Sequence, residues 1–272
     1  MSPAGPAVVP TLDVERALAA ACGPGERIVV GIDEVGRGAL AGPVTLGACA
    51  VRAVDGEITP LPAGVRDSKR LTARRREALV EPIRESALAV ATGWASAAEI
   101  DEAGIMTALT RAALRALDGL ELPDGARIDA ILLDGDADVL TPALVSRGGH
   151  VPRIALQVSA DRDCASVAAA SVVAKVARDA HMVALDEELP AYGWAGNKGY
   201  GSAAHREAID ALGASDHHRR SWRLGSAPKP ARSPAPAPVR SSARVQAPVR
   251  QAPLTGVLWD DPDPGTGVEE RE

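Results

Sequence analysis

Aromatic residues are scarce in this chain of 272 residues, which contains no Phe, four Trp and two Tyr. Cysteine is also rare, and the three residues (Cys22, Cys49 and Cys164) form no CxxC pair. This excludes a disulfide framework and a cysteine-rich zinc site, and it is typical of a reducing compartment. No hydrophobic run approaches the roughly 18 residues of a membrane span, and residues 1–10 lack the features of a secretory signal. We therefore expect a cytoplasmic protein without a membrane segment.

The remaining composition is that of a folded protein with one unusual end. Hydrophobic residues make up 46% of the chain, which is enough to build a core, and the net charge is −6. Residues 226–272 contain 9 of the 21 prolines and no amphipathic period. Such a segment buries too little apolar surface to offset its ordering entropy. We expect an N-terminal segment with a short helix over 1–26, a catalytic domain over 27–225 and a disordered Pro-rich tail over 226–272.

Hydrophobic periodicity predicts the elements of the folded part. Apolar runs indicate five strands, at 27–33, 43–54, 87–95, 129–134 and 153–159. Helical patterns cover 72–86, a short segment that begins with a Ser96/Glu99 capping box, and the ranges 106–117, 165–188 and 203–212. This order predicts an α/β fold, a mixed five-stranded sheet flanked by helices, with a helical C-terminal part.

Carboxylates follow three of the predicted strands. Asp33 and Glu34 end the first strand, Asp134 ends the fourth, and Asp161 lies between the fifth strand and the long helix. Two carboxylates about 4 Å apart repel by about 4 kcal/mol at an effective dielectric of 20, so a converging set needs a counter-ion. Oxygen ligands suit Mg²⁺ or Mn²⁺, and a pair of such ions can promote cleavage of a phosphodiester. The alternative is that Asp161 or Asp163 only caps the helix.

Glycines and basic residues surround these acids in the sequence. Gly36-Arg37-Gly38 directly follows the first pair, and glycines let backbone N–H groups approach a phosphate or sugar closely. Ser68 and Lys69 place a hydroxyl beside an ammonium group at the start of a basic run, which is a suitable phosphate contact. The alternative for that run is a solvated helix face.

The long helix and the loops after it add further candidates. Ser171, Lys175 and Arg178 share one helix face, and Lys175 either contacts phosphate or pairs with Asp179. The opposite stripe is expected to pack on the sheet and consists of Val173, Val176, Ala180 and Val183. Tyr200, in a Gly-flanked loop, could stack on a sugar or base. The basic run at 217–223 is either a charge cluster or a nucleic-acid contact.

Six segments, in order, resemble those of bacterial ribonuclease HII. They are GIDEVGRGALAGP (31–43), DSKRLT (67–72), LLDGD (132–136), DRDCASVAAASVVAKVARD (161–179), NKGYGSAAH (197–205) and ASDHHRRSW (214–222). The resemblance implies a ribonuclease H-like sheet in which the strands of Asp33 and Asp134 are parallel neighbours. It also implies that Asp33, Glu34, Asp134 and Asp161 are the catalytic acids that hold two Mg²⁺ or Mn²⁺ ions.

The same resemblance implies a substrate and a reaction. The Gly36-Arg37-Gly38 turn would read 2′-hydroxyls at an RNA–DNA junction, and Tyr200 would stack on the sugar after the ribonucleotide. The enzyme would hydrolyse the RNA strand of RNA/DNA hybrids and cut 5′ of a ribonucleotide embedded in duplex DNA, as part of ribonucleotide removal. The products would carry a 3′-hydroxyl and a 5′-phosphate. Gly201, Ser202 and Cys164 depart from the family pattern, which could loosen the Tyr200 loop.

Two other functions remain open at this level. One is another two-metal nuclease on the same sheet, resembling a resolvase or transposase, and the other is a nucleic-acid-binding protein without turnover. The tail segment QAPLTGVLW (251–259) could bind a replication clamp, or it is an incidental apolar patch. We expect the protein to be a monomer.

Overall fold

Six strands and eight α-helices account for most of the regular structure of residues 9–225, the part of the chain that the computed structural model describes. The strands are β1 (Arg27–Val35), β2 (Val44–Val54), β3 (Glu57–Ile58), β4 (Ala89–Ala95), β5 (Ala130–Asp134) and β6 (Arg153–Gln157). The longer helices are α1 (Asp13–Ala21), α2 (Ala73–Ser86), α3 (Ala97–Asp118), α6 (Ala165–Glu188) and α8 (Ala203–Leu212). The shorter ones are α4 (Thr141–Arg147), α5 (Ala160–Asp163) and α7 (Trp194–Asn197).

The strands form one mixed sheet, as predicted. Their order is β3-β2-β1-β5-β6. The end of β2 (Ala53 and Val54) pairs with β3, and its first part (residues 44–50) pairs with β4 on the same edge. β1 is antiparallel to β2 and parallel to β5, and β5 is parallel to β6. The sheet has one strand more than the predicted five, because β2 and β3 form a hairpin through Asp55 and Gly56. Both turn residues have positive φ (52° and 84°), which is the conformation of a tight two-residue hairpin loop.

The two central strands are buried on both faces. β1 and β2 lie between α3 on one side of the sheet and α6 on the other, and their residues are almost all buried. Helix α6 approaches β2 so closely that a Cβ atom at Gly47 would clash with the carbonyl oxygen of Ala170. Small residues at this interface therefore fix the distance between the helix and the sheet, which positions the ends of β1 and β5.

The helix predictions are confirmed in their main features, with one error. The side chain of Thr72 caps α2, and Ser96 and Glu99 form the predicted capping box of α3. The backbone of α3 is interrupted at Gly104 (φ 78°, ψ 160°), so two helical segments meet there, as the sequence indicated. The predicted packing stripe of α6 was right for Val173, which is buried in a core cluster, and wrong for Ala180 and Val183, which are exposed.

In its second half, helix α6 buries a different face from the predicted one. Arg178, Met182 and Leu185 are buried, whereas Val183 is 39% exposed and Ala180 is exposed. Ala180 and Val183 face outward in this half of the helix, where the guanidinium group of Arg178 instead lies in the interior and three carbonyl oxygens satisfy its donors.

The N-terminal helix is attached to the start of α6. The buried carboxylate of Glu15 accepts hydrogen bonds from the backbone N–H of Ser166 (2.9 Å) and from its hydroxyl (2.7 Å). Cys164 occupies the N-cap position of α6 without a side-chain cap, so the alternative in which Asp161 or Asp163 caps this helix was wrong. Glu15 supplies that capping interaction from a distant part of the sequence.

Two sequence predictions concern the chain as a whole. The tail over 226–272 and its segment 251–259 lie outside the described residues. Within residues 9–225, none of the helices combines the length and the apolar character that a bilayer crossing requires.

Candidate active site

The parallel pairing of β1 and β5 brings carboxylates from two distant parts of the sequence together. Ile32 lies opposite Leu133, so Asp33 and Asp134 leave the sheet side by side. Carboxylate oxygens of Asp33, Glu34 and Asp134 all lie within 4.8 Å of one another. The backbone N–H of Ala160 donates to Asp134 (2.7 Å), which holds the short helix α5 beside this cluster.

Asp33 is the most deeply placed of these acids. Its side chain accepts a hydrogen bond from the backbone N–H of Glu34 (2.8 Å). Burial raises the pKa of Asp33 well above its usual range, and the nearby carboxylates of Glu34, Asp134 and Asp161 raise it further, against a hydrogen bond with Ser171. Burial is also the largest cause of the raised pKa of Glu34, which Asp134 increases. Both shifts mean that the charged forms of these acids are disfavoured here unless a cation is bound.

Asp161 lies at the edge of this cluster, on α5. It is buried, and burial raises its pKa, while the ammonium group of Lys69 lowers it. The Nζ atom of Lys69 is 3.4 Å from a carboxylate oxygen of Asp161, although the Lys69 side chain is 77% exposed. Lys69 thus places a mobile positive charge between the acids and solvent.

The side chains of two further candidates form one buried hydroxyl pair beneath Asp33. The hydroxyl oxygens of Ser171, on α6, and Ser68 lie 2.9 Å apart. Ser68 lies in a 3₁₀ turn (Ser68–Arg70) before α2, and the side chain of Asp67 accepts from the backbone N–H of Lys69. The pair therefore connects the loop that carries Lys69 to the floor of the acidic cluster.

The residues of the cluster fit a hard divalent cation. Their donor atoms are carboxylate oxygens that lie close enough together to bind one ion. The pKa values of Asp33 and Glu34 are raised first by burial and then by the neighbouring carboxylates, and a bound cation would offset both effects. A structural role for these acids is a weaker explanation, because within residues 9–225 the three acids Asp33, Glu34 and Asp134 form a single salt bridge, between Glu34 and Arg37 (3.5 Å).

The glycine-rich turn lies directly against the acids. The backbone N–H of Ala39 donates to the carbonyl of Gly36 (3.2 Å), which closes a turn with Arg37 and Gly38 at its centre. Gly36 has a φ of 82°, and a Cβ atom there would clash with the guanidinium group of Arg178. Gly38 has open space around it. The turn is therefore packed against Arg178 on its inner side, and its outer side at Gly38 is open to a ligand.

Tyr200 and Lys175 lie near each other beyond this turn. The Tyr200 side chain is 39% exposed, and its ring centre lies 5.9 Å from Nζ of Lys175 and 5.5 Å from Cζ of Arg178. Lys175 pairs with Asp179 (2.6 Å), which is the alternative that the spacing left open, and burial lowers the pKa of Lys175. The phosphate contact of Lys175 remains a prediction.

Sequence reasoning missed the role of Arg219. The run at 217–223 resembled a surface charge cluster, but Arg219 is fully buried and donates to the carbonyls of Gly36, Arg37 and Gly42. No periodicity marks this residue. One signal could have found it. The carbonyl groups of a glycine-rich turn need hydrogen-bond donors from inside the protein, and an arginine elsewhere in the chain can supply them.

Comparisons with known proteins show the family of this chain. Residues 30–224 match the family model of ribonuclease HII. A ribonuclease HII of Streptomyces avermitilis is 43% identical over 213 residues, which cover 78% of this chain and 83% of that protein. The chain belongs to the ribonuclease HII family. Membership makes it a ribonuclease with ribonuclease H endonuclease activity, and dependence on a metal is the norm for this family.

Solved structures of the family share the fold. The ribonuclease H2 of Pyrococcus horikoshii OT3 aligns with a TM-score of 0.59 at 26% identity, over 72% of this chain and 94% of that chain. The ribonuclease HII in a complex with PCNA from Archaeoglobus fulgidus aligns with a TM-score of 0.53 at 26% identity, over 71% and 93% of the two chains. The ribonuclease H-like fold predicted from the sequence is therefore confirmed.

Proposed function

We propose that this ribonuclease HII cuts duplex DNA on the 5′ side of an embedded ribonucleotide and leaves a 3′-hydroxyl and a 5′-phosphate. One observation carries the proposal: the turn that can recognise a sugar adjoins the acids that can support cleavage. Arg37, in the centre of the turn, lies 3.5 Å from Glu34 of the acidic cluster. The 2′-hydroxyl is the group by which a protein distinguishes RNA from DNA, so recognition and cleavage would act on adjacent atoms.

The acids have the role of holding two divalent cations, Mg²⁺ or Mn²⁺. Asp33, Glu34, Asp134 and Asp161 supply the oxygen ligands in this proposal. The bound ions supply activation of a water and stabilisation of the leaving oxygen. The four carboxylates would hold these ions at the end of β1 and β5, and burial keeps Asp33 fixed in place.

The neighbouring residues bind the nucleic acid. Lys69 is exposed beside Asp161 and supplies a positive charge for a phosphate, and Ser68 and Ser171 fix its loop. The Gly36-Arg37-Gly38 turn would contact the ribonucleotide, and the exposed ring of Tyr200 would stack on the sugar that follows it.

A duplex with a single ribonucleotide tests this function. The full chain is incubated with that duplex, with the same sequence as all-DNA, and with an RNA/DNA hybrid, each with Mg²⁺, with Mn²⁺ or with a chelator. We expect one cut, 5′ of the ribonucleotide, only when a divalent ion is present. Equal cleavage of the all-DNA duplex, or no cleavage at the ribonucleotide, would contradict the proposal; a resolvase-like nuclease would ignore the ribonucleotide.

A pair of neighbouring aspartates provides a matched control for the acids. Asp161→Asn should abolish cleavage, because it removes a ligand oxygen. Asp163→Asn changes the same functional group two residues away, where the carboxylate pairs with Arg162 (2.8 Å) at the surface, and it should leave cleavage unchanged. Similar activity of the two variants would remove Asp161 from the proposed site.

The cellular setting is a further part of the proposal. We infer that the protein acts as a monomer in the cytoplasm, in the repair and replication of DNA. A clamp interaction through residues 251–259 is supported by the similar structure of ribonuclease HII in complex with PCNA. Binding of a synthetic peptide of this segment to a purified clamp tests it, with Leu254 and Trp259 replaced by alanine as the control.

A further inference from the structure

Two fully buried arginines lie beneath the Gly36–Pro43 loop. Arg178 and Arg219 each have 0% exposure, and within residues 9–225 neither forms an ion pair with a carboxylate. Their donors bond to backbone carbonyls instead. Arg178 donates to Pro43 (2.9 Å), Lys198 (3.0 Å) and Ala41 (3.2 Å), and Arg219 donates to Gly36 (2.6 Å), Arg37 (2.7 Å) and Gly42 (3.1 Å).

The bonds to Arg219 fix the direction of two N–H groups. In a planar trans peptide the C=O and the N–H of the same unit point in opposite directions, and the described residues contain no cis peptide bond. The carbonyls of Gly36 and Arg37 point inward to Arg219, so the N–H groups of Arg37 and Gly38 point outward. Neither N–H donates to a backbone carbonyl within residues 9–225. Open space around Gly38 leaves room for a ligand to reach them.

The two guanidinium groups also place positive charge under the loop. Burial, together with the nearby charge of Arg178, lowers the pKa of Arg219 to about 9. Burying two cations near each other is costly, and the carbonyl dipoles offset only part of that cost. An anion on the outer side of the loop would stabilise both charges, and the backbone of a nucleic acid is such an anion.

Arg178 connects this loop to the loop of Tyr200. Its guanidinium group bonds to the carbonyl of Lys198, two residues before Tyr200, and lies against the Tyr200 ring. The backbone N–H groups of Leu40 and Ala41 donate to the carbonyl of Gly199 (2.8 and 3.1 Å), so the loops also contact each other directly. A substitution of Arg178 should therefore affect both the Gly36–Pro43 loop and the loop of Tyr200.

We propose that Arg178 and Arg219 are positioning residues for substrate recognition. Arg219 holds the N–H groups of Arg37 and Gly38 outward toward the 2′-hydroxyl and backbone of the ribonucleotide, and Arg178 holds the end of the same loop against the loop of Tyr200. This inference rests on the proposed function, since it concerns the same substrate. The arginines touch no reacting atom. Their loss should therefore weaken binding and discrimination and leave the chemical step largely intact.

The test uses the full chain and four variants, Arg219→Gln, Arg219→Lys, Arg178→Gln and Arg115→Gln. Arg115 is the matched control, because it also donates to a backbone carbonyl (Trp94, 2.6 Å) but lies away from the loop. The measurements are kcat and KM on the single-ribonucleotide duplex, and Kd for that duplex and for the all-DNA duplex in the presence of a chelator. Thermal unfolding shows which variants are folded, and Arg219→Lys, which keeps the charge, extends the test if the Gln variants do not fold.

We expect Arg219→Gln and Arg178→Gln to raise KM at least about tenfold, the magnitude of losing charged hydrogen bonds, with kcat within about threefold. The ratio of the two Kd values should approach one, the Lys variant should be intermediate, and Arg115→Gln should match wild type. Folded variants with unchanged KM and unchanged discrimination, or with a lower kcat alone, would overturn the positioning role. Failure of wild type to prefer the ribonucleotide duplex would instead overturn the proposed function.

Discussion

Replacing Asp33 by Asn separates two effects of the acidic cluster: its charge repulsion lowers the stability of the fold, and its carboxylates support cleavage. The amide has the same size as the carboxyl group, and its oxygen can still accept from the backbone N–H of Glu34. What is removed is a negative charge within 4.8 Å of carboxylate oxygens of Glu34 and Asp134. At an effective dielectric of 20, each ionised pair at that distance repels by about 3.5 kcal/mol.

This variant should be more stable and inactive. Partial protonation of the cluster reduces the relief below the pairwise figure, so we expect the free energy of unfolding without metal to rise by about 1–3 kcal/mol, which raises Tm by several degrees. Divalent ions should raise the Tm of wild type and have little effect on Asp33→Asn, because a ligand oxygen is missing. Cleavage should fall by about a thousandfold or more, as expected when several kcal/mol of metal-derived stabilisation are lost.

Calorimetric unfolding with and without Mg²⁺ or Mn²⁺, and cleavage of the single-ribonucleotide duplex, measure both effects. Asp163→Asn serves as the control at an aspartate that pairs with Arg162. A lower Tm without metal, or near-normal cleavage by Asp33→Asn, would show that the reasoning about charge at this site is wrong.

Three further predictions concern residues around the site and the core. Lys69→Ala should raise KM several-fold and change the free energy of unfolding by less than about 0.5 kcal/mol, because its contact with Asp161 is solvent-exposed; steady-state kinetics and denaturant titration test this. Glu15→Ala should destabilise the fold by about 2–4 kcal/mol in denaturant titration, since two buried donors of Ser166 lose their acceptor; an unchanged midpoint would contradict the capping role. Burial lowers the pKa of His218 to about 4, so between pH 6.5 and 4 only the unfolded state binds the proton and stability should fall as pH falls, by up to about 3 kcal/mol; His218→Gln should flatten this dependence.

The sequence was sufficient where short-range patterns determine the structure. The first strand follows from its run of apolar residues, although it continues to Val35 instead of ending at Asp33. The capping box of Ser96 and Glu99 follows from capping chemistry, and the two segments of α3 follow from two separate helical patterns. The parallel pairing of β1 with β5 was implied by the family resemblance rather than by any local pattern. It is this pairing that brings Asp134 to Asp33.

Long-range partners could not be read from the sequence. The spacing of apolar residues predicted the wrong packing face for the second half of α6, because it could not show that three carbonyls would receive Arg178. Glu15 resembled an ordinary residue of a surface helix, and its bond to Ser166 spans 151 residues. Buried polar groups are determined by tertiary neighbours, which periodicity does not describe.

Anomalous diffraction from crystals of the protein with Mn²⁺ and the single-ribonucleotide duplex tests the central claim most directly. We predict strong anomalous peaks between the carboxylates of Asp33, Glu34, Asp134 and Asp161, next to the phosphate on the 5′ side of the ribonucleotide. Peaks elsewhere on the protein, or a substrate-bound site with no manganese among these four acids, would contradict it.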